Sequence, residues 1–143
     1  MRFMIIVKAS KESEAGIMPS SELIAAMGKF NEDMIATGVL LAGEGLQSSA
    51  KGKRVKLEGG KFVVKDGPFA ETKELVAGFW IIDVKDEAEA LEWVKRIPYE
   101  EGDEYELRKV FEASDFQVDM LTEDVIAKTQ AWRDENMKPI TKE

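Results

Sequence analysis

The chain has 143 residues, 44% of them apolar, which is enough for one domain with one core. It contains neither Cys nor His, which excludes disulfides, zinc–thiolate sites and thiol nucleophiles and removes the commonest general base. A net charge of −8 argues against nucleic acid as a partner, and no stretch approaches the ~18 apolar residues of a membrane span.

Residues 2–8 predict a short apolar strand between Arg2 and Lys8. The run is too short for a signal-peptide core and has no small-residue cleavage site after it, so the chain reads as cytoplasmic. Residues 9–19, with Gly16 and Pro19, predict a loop. From Ser20 to Thr37, Leu23, Met27, Phe30 and Met34 recur at helical spacing. Ser20 or Ser21 can cap this helix, and Gly38 suits a left-handed position after it. Val39–Ala42 is a second apolar run, leading into a Gly43-Glu44-Gly45 connection. Residues 54–57 and 61–65 flank Glu58-Gly59-Gly60 and predict a hairpin.

The segment Asp66-Gly67-Pro68-Phe69-Ala70-Glu71-Thr72-Lys73-Glu74 follows, a turn unusually rich in ionisable side chains. Residues 77–84 predict the strongest strand. Asp86 caps a helix with Glu89 three residues on, Leu91, Val94 and Ile97 as its buried stripe, and Pro98 at its end. Residues 105–111 alternate as a final strand. The remaining 112–143 predict a helical extension. Leu121 and Ile126 sit at hydrophobic-staple spacing, and Val125, Thr129 and Trp132, widened by Ile126, form one stripe expected to be buried, next to further large groups at Phe116, Val118 and Met120.

The element order is that of an α+β fold, a ferredoxin-like split βαβ sheet with an extra hairpin and a C-terminal helix. Residues 3–7 and 79–82 are apolar on both faces, as in strands covered on both sides. Two core helices cover one face only. A second copy of the sheet is the economical cover for the other, which gives a dimeric α/β barrel, with residues 112–143 as the alternative cover; in the barrel the extension docks at the edge of the dimer, with Trp132 touching the partner or closing one mouth of the cleft.

Two acids are the candidates for chemistry. Asp66 can act as a general base or ligand anchor with Phe69 as an apolar wall, or can pin an Asx-type turn by accepting backbone N–H groups ahead of it. Glu44, between two glycines, can face a ligand or another backbone at close range, or can pair with Lys73 or Arg108. Were Glu44 and Asp66 to converge, like charges sharing a site would raise one pKa and allow acid–base catalysis without His. Glu71, Lys73 and Arg108 complete the expected ligand-binding set. Only oxygen-ligated ions remain open to such a chain, and no calcium-loop spacing is present, so neither a metal nor a cofactor is expected. Lys51, Lys53, Arg54 and Lys56 form a basic cluster that reads as edge-strand protection.

The words Asp66-Gly67-Pro68-Phe69, with Gly38–Leu46, Glu71–Glu74, Gly78–Val84 and Ala90–Trp93, resemble the DGPF-domain proteins of the YCII-related superfamily over residues 1–111. The resemblance implies the dimeric α/β-barrel arrangement. Superfamily members with a proposed His–Asp centre would place its acidic half at Asp66, but this chain has no His to complete it. The resemblance also implies, by gene neighbourhood alone, a regulatory link to extracytoplasmic-function sigma factors. The leading expectation is a cytoplasmic homodimer that binds a small molecule beside the Asp66–Glu74 turn. A cofactor-independent acid–base enzyme using Asp66 or Glu44 and a regulatory partner protein are the alternatives.

Overall fold

A computed structural model describes residues 1–116 and 120–142. Its elements are β1 (Arg2–Lys8), α1 (Lys11–Glu14), α2 (Ser21–Thr37), β2 (Leu40–Gly45), β3 (Lys53–Glu58), β4 (Lys61–Asp66), β5 (Val76–Asp83), α3 (Glu87–Lys95), β6 (Tyr105–Lys109) and α4 (Met120–Asn136). Strands β2, β5, β1 and β6 form one antiparallel sheet in that order, and β3 and β4 form a separate hairpin. The fold is α+β with a C-terminal helix. In a single chain the main sheet is open, with β2 and β6 as its edges.

Local chemistry sets the helix ends. The Ser20 hydroxyl accepts from Leu23 N at the start of α2, and Gly38 closes it at φ 77°. Asp86 accepts from Glu89 N, while Glu89 Oε2 accepts from Lys85 N, so the start of α3 is held from both sides. Within the expected loop 9–19, Ser10 and Ser13 close a capping box around the single-turn helix α1.

Directly opposed residues share a face of the sheet. Phe3, Ile5, Trp80 and Ile82 therefore point to the side covered by α2 and α3, where Phe30, Met34, Ala90, Trp93, Val94 and Ile97 complete the core. The α3 stripe differs from expectation: Ala90 and Trp93 are buried and Leu91 is exposed. The core turn of this short helix lies one residue earlier, so Trp93 rather than Leu91 meets Phe30 edge-on.

The opposite face carries Met4 and Ile6 of β1, Phe79 and Ile81 of β5, and Glu106 and Arg108 of β6. A register shift between Leu40 and Ala42 puts Ala42 and Glu44 on this face too. Neither α2 nor α3 reaches it.

The extension 112–143 packs differently from its apolar pattern. Ile126 of the expected stripe is partly buried, but with Gln130 and Arg133 of α4 and Met137 just past its end, whereas Val125 and Trp132 stay 62% and 59% exposed in the single chain. The anchor is polar: Arg2 bonds Glu112 through two guanidinium nitrogens at 2.8 and 2.9 Å and Met137 Sδ at 3.8 Å. Ile140 N then donates to Leu40 O on the edge strand at 2.8 Å. Val118 and the side chains of Met120 and Leu121, including the expected Leu121–Ile126 staple, lie outside the described residues. Among the described residues no helix is long and apolar enough to cross a membrane.

Candidate functional site

The Asp66–Glu74 segment is pinned by residues distant in sequence. Gly67 N donates to Gly52 O at 3.0 Å and Phe69 N to Ser49 Oγ at 3.1 Å. Ser49 is in turn gripped by Glu14, which accepts from its backbone N at 3.0 Å and from its hydroxyl through the second carboxylate oxygen. Those two bonds hold the Glu14 carboxyl below the usual range, the side-chain bond contributing most. A Cβ on Gly67 would lie 1.7 Å from Ser49 O, so only glycine allows this approach. Arg54 lies over the Phe69 ring with Cζ 4.0 Å from its centroid.

The turn is therefore not held as an Asx turn. Asp66 accepts instead from Lys53 Nζ across the hairpin, and both side chains are mostly in solvent. Two substitutions separate these roles. Asp66→Asn is expected to cost less than about 1 kcal/mol, as for an exposed ion pair. Gly67→Ala forces backbone against backbone and is expected to cost about 1–3 kcal/mol. Denaturant titration of both variants checks the order; equal losses would mean that the close approach at Ser49 is not what holds the turn.

Beyond Phe69 the chain reaches Glu71 in the left-handed region at φ 62°, unusual for a residue with a side chain. A single turn over Thr72–Glu74 then feeds β5 through buried Leu75. Glu71 and Lys73 are exposed.

Glu44 is the second candidate. It belongs to β2, not to a loop, and stands directly opposite Phe79 on the face away from α2 and α3. Of the two glycines around it, Gly43 serves a neighbour within the fold, while a Cβ on Gly45 would meet nothing within 4 Å. A Cβ on Gly43 would meet the Trp80 ring at 2.7 Å, which leans across it to donate from Nε1 to Asn31 Oδ1 at 2.8 Å. Arg108 pairs with Glu106 at 3.8 Å. The described hydrogen bonds and ion pairs join neither Glu44 to Asp66 nor either acid to Lys73 or Arg108. Sequence reasoning missed Ser49, Glu14 and Gly52 at the turn. They lie 14 to 55 positions from residues of Asp66–Phe69, and no local pattern marks them. Among the described residues no group of three or more Asp or Glu could hold a metal ion.

These features define a small α+β protein with a four-stranded antiparallel sheet, one face packed by helices and the other lined by apolar side chains with charges at its border. The profile of the YCII-related domain matches residues 1–114, and the chain belongs to that family. A comparison with curated proteins gives no match.

Proposed function

We propose that the chain is a DGPF-type, cytoplasmic, homodimeric protein that binds a small molecule beside the Asp66–Glu74 turn. The observation that carries this reading is the sheet face that α2 and α3 leave open and that α4 meets only at its Arg2 end. Met4, Ile6, Phe79 and Ile81 form a partly buried apolar floor, and Glu44, Glu106 and Arg108 stand at its border. Clefts for small ligands have this composition, an apolar lining with a few placed polar groups. The strand order supports a ferredoxin-like split βαβ arrangement, in which a second sheet laid on this face closes a dimeric barrel around the cleft. The turn leads directly into β5, so Glu71 and Lys73 lie at the cleft's Phe79 end. Binding is preferred to acid–base catalysis because Asp66 is occupied by Lys53 and does not join Glu44. It is preferred to a regulatory role because that role rests on gene neighbourhood alone.

The test is mass spectrometry of compounds released by denaturing the purified protein, with a thermal-shift panel of small carboxylic acids and amines. At a hundredfold excess over Kd a ligand adds about 2.7 kcal/mol of stability, and Phe79→Ala should abolish that shift. A panel without any shift, together with an empty extract, would remove the binding reading.

A further inference from the structure

A cavity of about 330 Å³ lies where α4 meets the Arg2 end of the sheet. Arg2 and Glu112 line it from the sheet side, and Gln130, Arg133, Asp134 and Met137 from the extension. Gln130, Arg133 and Asp134 share one side of α4 through their spacing of three and four residues, and Met137 follows one turn after Arg133. Ligand pockets run from about 300 to 1,000 Å³, so this one suits a small metabolite.

The polar groups around the cavity are unevenly served. Glu112 takes Nε and Nη2 of Arg2, which leaves Nη1 with Met137 Sδ at 3.8 Å, a weak acceptor. Arg2 is buried, so solvent does little for that donor. Gln130 Nε2 donates to Asp134 Oδ1 at 2.8 Å, while Gln130 Oε1 is buried without a donor among the described residues. A buried donor and a buried acceptor that lack good partners cost free energy, and a ligand carrying both complements recovers it. Two charges stand beside them. Among the described residues Arg133 reaches no more than Phe111 O at 3.5 Å, Asp134 no more than the Gln130 amide, and neither forms an ion pair.

We propose that this cavity binds a small α-amino acid as its zwitterion. The carboxylate accepts from Arg2 Nη1 and from Arg133. The ammonium donates to Asp134 and to Gln130 Oε1, whose terminal amide torsion is soft enough to turn that oxygen towards the ligand. The cation and the anion offered by α4 are adjacent residues, so the ligand carries its own two charges close together, as an α-amino acid does and a longer ω-amino acid does not. Met137 supplies a polarisable wall for an apolar side chain. Because the lining comes from both the sheet end and α4, the bound amino acid ties the extension to the sheet. The site lies beyond the Arg2 end of the apolar floor described above, shares no residue with it, and does not depend on a second copy.

Isothermal titration calorimetry of the full chain with the common L-amino acids tests it, followed by the amide and the deaminated acid of the tightest binder. An amino acid with an apolar side chain is expected to bind. Each analogue lacks one charge and should bind about ten- to a hundredfold more weakly, the loss of one charge-assisted bond. Arg133→Gln and Asp134→Asn should each weaken the amino acid to a similar degree, and circular-dichroism melting establishes that both fold. Amide exchange at Ile140, whose N–H bonds Leu40 O, should slow on binding as α4 is held against the sheet. Phe79→Ala should leave this binding unchanged. Binding lost in Phe79→Ala but kept in Arg133→Gln would move the amino acid to the sheet-face cleft, overturning this site and supporting the cleft. Analogues bound as tightly as the amino acid, or no heat with any amino acid, overturn the site and leave the cleft reading untouched.

Discussion

Replacing Phe30 by alanine is expected to lower stability by about 3–5 kcal/mol, the range for emptying an aromatic site in a core. Phe30 is 4% exposed and sits where three elements meet. Its ring meets Trp80 of β5 edge-on at 5.4 Å and Trp93 of α3 at 6.2 Å. Such pairs add about 0.5–1.5 kcal/mol beyond the area they bury. Trp80 also leans on Gly43 and bonds Asn31, so the surrounding rings are tethered and cannot collapse into the space. Poor collapse places the loss towards the upper end of the range. Against a total stability of about 5–15 kcal/mol, the variant keeps only part of its margin. Phe30→Leu, which retains most of the volume, should cost well under half as much. Guanidinium titration of the two variants decides the matter, and a Phe30→Ala loss below about 1.5 kcal/mol would show that α2 is not the keystone of this core.

The parts of the fold legible in sequence were those governed by local rules. Ser20, Gly38 and Asp86 mark helix ends because a cap needs only its own three or four neighbours. Gly59-Gly60 marks the hairpin for the same reason, with both glycines at positive φ. In sequence Glu44 belongs to a connection, because Gly-Glu-Gly has poor strand propensity. It is a strand because β5 supplies a partner, Glu44 against Phe79. The candidate turn was legible as a turn but not in how it is held. In sequence Asp66 is the candidate pin, whereas the observed pins are Ser49 and Glu14, brought in by tertiary contacts. The extension shows the opposite failure. Its apolar spacing singled out Val125 and Trp132, yet the chain's own contact runs through Gln130, Arg133 and Met137, because the surface that receives α4 is made by Arg2 and Glu112.

That receiving pair carries the second large effect. Arg2 is 8% exposed, the one charged residue among the described residues that is buried, and Glu112 holds it in a two-nitrogen fork. Removing Glu112 leaves the guanidinium with Phe111 O at 3.4 Å and Met137 Sδ at 3.8 Å, both weak acceptors at those distances. Breaking a fully buried pair costs about 3–5 kcal/mol and an exposed one at most about 1. Since a quarter of the Glu112 side chain is exposed, Glu112→Gln is expected to cost about 2–3 kcal/mol at neutral pH, between those limits. The same pair fixes an acid response. The bond from Arg2 holds the Glu112 carboxyl below its ordinary 4.5. Its folded-state pKa is depressed, so this contribution is complete above about pH 4.5 and is lost as pH falls through the lower folded value. Glu14 and Asp33 are also shifted down, but they remain in the variant. The difference in stability between wild type and Glu112→Gln therefore isolates this one group. Urea titrations at pH 7 and at several points below pH 5 should show that difference shrinking as the medium becomes more acid. Loss of the α4 contacts at neutral pH should appear alongside it, as faster amide exchange at Ile140, whose N–H bonds Leu40 O. A difference that stays constant down through the acid range would mean that Glu112 acts by its shape and not by its charge.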